Sequence, residues 1–216
     1  MTIGIASYNQ QEYLVDAIES ALSQTIPCEV IVCNDGSTDN SLEVARKYPV
    51  KVIDQVNKGL ASARNSIIMN MTNDWILFLD ADDILLPNCV EKIQEKIKET
   101  DVDIISPSFK TFGTSNETII LMENPKLEDF KIANRIAYCS AIKREALLEV
   151  GGYSPRMIWG WEDLHLWINL LSRGKKIATI QEPLWLYRTK EISMWTESMK
   201  HSEELTNQIK KDFPNL

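Results

Sequence analysis

Histidine and cysteine are scarce in this chain: His165 and His201, with Cys28, Cys33, Cys89 and Cys139, among 216 residues. No two cysteines form a C-x-x-C pair, and neither histidine has a partner at metal-ligand spacing, which removes a cysteine or histidine metal centre from consideration. The cysteines stand in apolar or helical contexts and read as buried free thiols of a reducing compartment. The two histidines read as structural or exposed. Long apolar runs are also missing. Nothing approaches the roughly 18 residues of a membrane span, and no basic-then-apolar targeting segment opens the chain. The expectation is a cytoplasmic protein, peripheral at a membrane at most. Positive charge is in deficit, with 23 Lys and Arg against 31 Asp and Glu and a net charge of −8. That balance excludes a nucleic-acid polymer as the main partner, because phosphate neutralisation needs clustered cations. It leaves room for one small anion, provided that a cation stands between the anion and the protein's own carboxylates.

What is present reads as an ordinary globular chain, 44% apolar and 25% charged, of a length that fits one large domain. Through about residue 105 strand and helix patterns alternate, the mark of a parallel sheet with crossover helices. Thr2 to Ser7, Glu29 to Cys33, Val50 to Ile53, Trp75 to Leu79 and Asp103 to Ser106 read as strands. Between them Leu14, Ile18, Ala21 and Leu22 mark one helical face, and Gly59 opens a helix carrying Leu60, Ala63, Ile67, Ile68 and Met71. Pro87 starts another, with Val90, Ile93 and Ile97 inward. The second half is less regular. Asn116 to Glu123 reads as a strand and Ala146 to Val150 as a helix stopped by Gly151-Gly152. Glu162 to Arg173 reads as a helix with Leu164, Trp167, Ile168 and Leu171 inward, and a polar helical tail follows Trp195.

The most informative segment is Asp80-Ala81-Asp82-Asp83, directly after the apolar run Trp75-Ile76-Leu77-Phe78-Leu79. The run is short, continuous and apolar on both faces, as in a buried parallel strand. Open α/β sheets bind ligands at the carboxyl ends of such strands. Three carboxylates there repel one another unless a cation is bound, and hard oxygen ligands suit Mg²⁺ or Mn²⁺. Asp-rich turns also occur for purely structural reasons.

Three more segments precede it in order. Ser7-Tyr8-Asn9 closes the first strand. Val30-Ile31-Val32-Cys33-Asn34-Asp35-Gly36-Ser37-Thr38-Asp39 follows, and then Asn57-Lys58-Gly59-Leu60-Ala61-Ser62-Ala63-Arg64-Asn65. Together with the Asp cluster they resemble the nucleotide-binding half of the family 2 glycosyltransferases. A fifth match, Gly160-Trp161-Glu162-Asp163, lies after Gly151-Gly152-Tyr153. The resemblance implies an α/β protein of GT-A type, a Rossmann-like three-layer sandwich with a mostly parallel central sheet. It further implies one domain over 1–216, with a nucleotide-binding half over 1–110, an acceptor-binding half over 111–195 and a helical tail over 196–216.

For the site, the resemblance implies nucleotide binding by Ser7, Tyr8, Asn9, Asp35, Arg64 and Asp80. Asp35 would accept the N3–H of a uracil, and Arg64 would serve the base or a phosphate, with Lys58 a weaker candidate. Asp82 would ligate Mn²⁺ or Mg²⁺, and Asp83 would cap the turn. Asp163 would be the general base and Glu162 its support, with the indoles of Trp159 and Trp161 as platforms for an acceptor sugar. One departure stands out. Where relatives carry a metal-ligating His after a Tyr-Arg strand, this chain reads Tyr187-Arg188-Thr189-Lys190-Glu191-Ile192-Ser193-Met194. An ammonium does not ligate a cation. Lys190 would instead approach the diphosphate, or Glu191 would fill the coordination place.

The function implied is metal-dependent, inverting transfer of one sugar from a nucleoside-diphosphate sugar, a UDP-sugar, to an acceptor hydroxyl. That acceptor would be a saccharide, a lipid-linked saccharide or a protein, in bacterial-type surface polysaccharide or glycoconjugate synthesis. No Gln-x-x-Arg-Trp segment follows, which argues against a processive synthase. A sugar nucleotidyltransferase is the alternative enzyme, but Ser7-Tyr8-Asn9-Gln10-Gln11 lacks the glycines and basic residue of its phosphate loop. A non-catalytic nucleotide-binding relative is the third reading, and Lys190 is the feature that favours it.

Overall fold

The computed structural model describes residues 1–131, 133–191, 194–214 and 216, with the backbone alone of Trp195. Strands β1 (Thr2–Ser7), β2 (Glu29–Asp35), β3 (Lys51–Gln55) and β4 (Trp75–Asp80) pair in parallel in the order β3-β2-β1-β4. Helices α1 (Leu14–Leu22), α2 (Ser41–Ala45) and α3 (Leu60–Asn70) make the crossovers that parallel pairing requires. The register sets Ser7 beside Asn34 and Ala6 beside Asp80. The carboxyl ends of β1, β2 and β4 therefore finish along one edge, and Ser7, Asp35 and Asp80 finish with them. Side chains alternate between two cores. Ile3, Ile5, Leu77 and Leu79 pack on one side of the sheet and Ile31, Cys33, Ile76 and Phe78 on the other. This is the three-layer arrangement, and it is why the strand before the Asp cluster is apolar on both faces.

The chain continues through β5 (Ile84–Leu85), α4 (Cys89–Glu99), β6 (Ile104–Gly113), β7 (Thr118–Ile119), β8 (Ala141–Lys143), α5 (Arg144–Val150), α6 (Glu162–Ser172) and β9 (Ile177–Thr189). Helices α7 (Met194–Lys200) and α8 (Ser202–Asp212) follow. Strand β8 enters antiparallel between β4 and β6, and β9 runs parallel to β6. The register of β6 on β9 slips around Ser108, and the far end of β9 pairs antiparallel with β5, Ile84 opposite Leu186. Irregularities of this kind bend a strand, and here they deliver Tyr187 to Thr189 to the Asp cluster. No helix among the described residues is long and apolar enough to cross a membrane.

Three expectations change. The strand foreseen over Asn116 to Glu123 is only Thr118–Ile119, because β7 pairs with β6 alone and has no second neighbour. Leu22 is exposed and Ala17 takes the buried place on α1. On α6 the buried side chains are Glu162, His165, Leu166, Trp167, Ile168 and Leu170, a wider face than foreseen. The reason is α8, which packs beyond the expected stripe: His165 Nε2 lies 3.0 Å from Asp212 Oδ2, and its ring stands 4.9 Å from that of Phe213. The four cysteines are unpaired, three of them buried and Cys28 half-buried. Gly151 ends α5 in the left-handed conformation at φ 78°, as expected of a helix-stopping glycine.

Candidate active site

Two cavities adjoin at the carboxyl edge of the sheet. The first, of about 630 Å³, is walled by Ser7, Tyr8, Asp35, Lys58, Asp82 and Lys190, among others. The second, of about 1000 Å³, is walled by Arg64, Asn134, Trp161 and Asp163 and by the apolar side of α8. Leu60, Asp80, Gly160, Glu162, Tyr187 and Met194 line both.

In the first cavity Asp35 is a floor residue. Its Oδ1 accepts from Gln55 Nε2 at 2.7 Å and from the Lys58 amide at 3.0 Å, and its Oδ2 accepts from the Gly59 amide at 2.8 Å. A carboxylate offers about four acceptor sites, so one is left for a ligand. Gly59, at φ 87°, makes the turn that presents these amides. Ser7 is buried, and its hydroxyl has no hydrogen-bond partner in the protein. Tyr8 is exposed at the mouth.

Arg64 is buried on α3, where the sequence alone left a surface cation or a nucleotide contact. Its Nη2 donates to Asp80 Oδ1 and its Nη1 to Glu162 Oε1, both at 2.7 Å. The guanidinium carbon stands 5.2–5.7 Å from the centroids of Tyr153, Tyr138 and Phe78. These rings and two carboxylates hold the two terminal nitrogens, while Nε is buried without a hydrogen-bond partner, and Arg64 stands in the wall between the cavities. Burial pushes the Asp80 carboxyl up to about 6; Arg64 opposes the rise and Asp82 adds to it.

Glu162 and Asp163 begin α6, where the helix dipole favours acids. Trp161, in the left-handed region at φ 57°, turns the chain into the helix. Asp163 Oδ2 accepts from Asn134 Nδ2 at 2.8 Å, and Oδ1 accepts from the Leu164 amide at 2.7 Å. Burial raises the carboxyls of both residues above the usual range; Arg64 opposes the rise in each, and at Glu162 Asp163 adds to it. A raised carboxylate beside a roomy cavity is equipped to accept a proton.

The Asp cluster itself is closed by β9. Asp82 Oδ2 lies 2.7 Å from Lys190 Nζ. The Asp82 carbonyl accepts from Arg188 Nε at 2.8 Å. Asp83 is buried and does more than cap the turn: it accepts from the Tyr138 hydroxyl, and from the Arg188 amide at 2.7 Å.

Three residues named from the sequence line neither cavity. Asn9 is used to brace the following loop: its Oδ1 accepts from the Thr38 amide at 2.8 Å and its own amide donates to Ser37 Oγ at 3.0 Å. Gln10 takes its place on the cavity wall. Trp159 stacks in parallel on His201, centroids 4.0 Å apart, and lines neither cavity. Glu191 is exposed and off the wall of the first cavity. Ile192 and Ser193, in the segment compared with the family's histidine, lie outside the described residues. Sequence reasoning missed Gln55, Asn134 and Tyr138, for which no spacing signal exists. The helical tail was foreseen over 196–216, but not that α8 packs on the site, although its apolar face at Leu205 and Ile209 forms a helical stripe.

The sequence model of glycosyl transferase family 2 matches residues 2–161. The chain belongs to glycosyl transferase family 2. Among similar proteins, glycosyltransferase GlyA of Streptococcus pneumoniae is 27% identical over 230 residues, covering 94% of this chain and 33% of GlyA. The chain thus spans about a third of that relative's length. The fold is equally plain in three dimensions. S. aureus TarS 1–349, solved with UDP-GlcNAc, superposes with a TM-score of 0.84 at 18% identity, over 99% of this chain and 66% of that one. The mannosyltransferase PcManGT from Pyrobaculum calidifontis, solved with GDP-Man and Mn²⁺, superposes at 0.75 with 16% identity, over 100% and 64%. The fold is GT-A.

Proposed function

We infer that this protein is an inverting, non-processive glycosyltransferase that moves one sugar from a UDP-sugar to an acceptor hydroxyl. The observation that carries this reading is the shared wall. Asp80, Glu162 and Tyr187 stand between a polar cavity at the strand ends and a larger cavity holding Asp163. A donor in the first and an acceptor in the second meet across that wall. The base goes to Ser7, Tyr8 and the free acceptor site of Asp35. The acceptor goes beside Asp163 and Trp161, under α8. On this reading residues 1–110 supply most of the donor wall and the later residues most of the acceptor wall. The free thiols suit the cytoplasm.

In the transfer, the acceptor oxygen attacks the anomeric carbon as Asp163 takes its proton. The bond from that carbon to the phosphate oxygen breaks, and its electron pair leaves with the nucleoside diphosphate. Asn134 holds Asp163 in place, and Arg64 holds Glu162 and Asp80 apart from one another's charge. One displacement inverts the anomeric centre.

Family resemblance implies Mn²⁺ or Mg²⁺ on Asp82, and the residues present do not fit a resident ion. Asp80 is engaged by Arg64, Asp82 by Lys190, and Asp83 by Tyr138 and Arg188. Among the described residues no group of three or more His, Cys, Asp or Glu could hold a metal.

Calorimetric titration with UDP, GDP and dTDP tests the reading, followed by nucleotide release from the matching sugars. UDP binding with UDP released from a UDP-sugar is expected. A folded protein that binds none of the three would refute it.

A further inference from the structure

We propose that Lys190 is the resident cation of the donor site: its ammonium, held by Asp82, engages the diphosphate of the donor, and nucleotide binding does not require a divalent ion. This rests on the donor-site reading above.

The strand end that carries Lys190 is fixed on several sides. Arg188 donates to the Asp82 carbonyl and packs over Tyr13 and Phe112, at 4.6 and 4.3 Å from the ring centroids. Thr189 Oγ1 donates to the Phe112 carbonyl at 2.9 Å and accepts from the Ser115 amide at 2.9 Å. The ammonium of Lys190 lies 2.7 Å from Asp82 Oδ2 and 4.2 Å from the Tyr13 centroid. A carboxylate and a ring face thus aim a side chain that on an open surface would sweep freely.

The pair is a quarter exposed on each side and lines the donor cavity. Ion pairs at such exposure add little to stability, so folding gives no strong reason for the arrangement. Charge does. The other cations on this wall are Lys58 and Arg188, and Arg188 is shared with Asp16 and the Asp82 carbonyl. Arg64 is divided between Asp80 and Glu162. A diphosphate entering a chain of net charge −8 meets carboxylates first unless a cation is already in place. An ammonium has three donors, so Lys190 keeps Asp82 with one and offers another to a phosphate oxygen. As the bond between sugar and phosphate breaks, negative charge grows on the leaving oxygen, and a pre-placed ammonium stabilises it.

The test is calorimetric binding of UDP, GDP and uridine to the wild type and to Lys190→Ala and Lys190→Gln, each in EDTA and with Mg²⁺ or Mn²⁺. The wild type is expected to bind UDP in EDTA within about threefold of its affinity with metal. Both variants should lose about tenfold or more for UDP in EDTA, as for a lost charge-assisted contact, while uridine binding stays unchanged. In Lys190→Ala, added Mn²⁺ should recover part of the loss, because Asp82 is then unpaired. Metal-dependent UDP binding by the wild type, or variants that bind UDP as the wild type does, would overturn the proposal. If neither UDP nor GDP binds the folded wild type under any condition, the donor-site reading itself fails and takes this proposal with it.

Discussion

Arg64 and Glu162 are 98 positions apart in the chain and 2.7 Å apart in the fold. The contact joins α3, which follows the turn at Gly59, to the first turn of α6, which carries Asp163. The walls of the two cavities are therefore held by one buried guanidinium.

Removing that guanidinium leaves Glu162 buried without a partner and Asp80 without its counter-charge. Arg64→Ala is expected to destabilise the protein by about 3–5 kcal/mol, as for a broken buried ion pair. Urea denaturation checks it. A loss below about 1 kcal/mol, the range of surface pairs, would mean that the pair is open to water.

Asp163→Asn keeps the shape of the second cavity and removes the proton acceptor proposed for the transfer. Sugar transfer should fall by roughly 10²–10⁴, with UDP affinity unchanged by calorimetry. Unaltered turnover would assign the base elsewhere. The base works deprotonated, so the rate falls as pH drops through its pKa. Burial raises that pKa, which puts the acid limb of kcat/KM above the ordinary aspartate range. The hydrogen bond from Asn134 favours the charged carboxylate. Asn134→Ala should accordingly move the limb to still higher pH.

His165 ties α6 to α8 through Asp212, and burial lowers its pKa below the usual 6.5 although Asp212 opposes the shift. The unfolded chain then binds the proton more readily than the folded one. The contribution to stability is complete above pH 6.5 and is lost as pH falls through the unfolded and then the folded value. Melting temperature should drop between pH 7.5 and 5.5, and His165→Gln should flatten that dependence.

Gly152 stands at φ 75°, and a Cβ there would lie 2.3 Å from Asn65 Oδ1. Asn65 uses that oxygen and its amide to clamp the Tyr153 backbone, each bond 2.8 Å long. Gly152→Ala should cost at least about 1–3 kcal/mol from the backbone conformation alone. It should also loosen Tyr153 from Arg64, visible as earlier unfolding in thermal melts.

Much of the first half was legible in the sequence. Short apolar runs ending at Ser7, Cys33 and Leu79 are a direct print of parallel strands finishing on one edge, and β2 and β4 run on to Asp35 and Asp80 there. The second half was less so, for a physical reason. Strand β8 has three residues and β5 two, too short for any period, and β9 pairs along its length with different neighbours. The role of Arg64 was hidden because its two partners are set by tertiary packing, and an arginine on a helix carries no local sign of burial. Asn9 shows the converse: it stands in the family pattern, and its left-handed backbone and hydrogen bond to Thr38, set by the fold, carry no local sign in the sequence. Lys190 was visible as a departure; its contact with Asp82 was not.

The closure of the Asp cluster by β9 also has a consequence in time. Asp82 and Arg188, which meet through one hydrogen bond, are 106 positions apart. A ribosome adding roughly 5–20 residues per second needs on the order of 5–20 s to pass from one to the other. During that interval the nascent chain carries the Asp cluster without its lysine, its arginine or the strand that bends over it. The first cavity therefore cannot close over the Asp cluster until synthesis has passed Arg188 and Lys190.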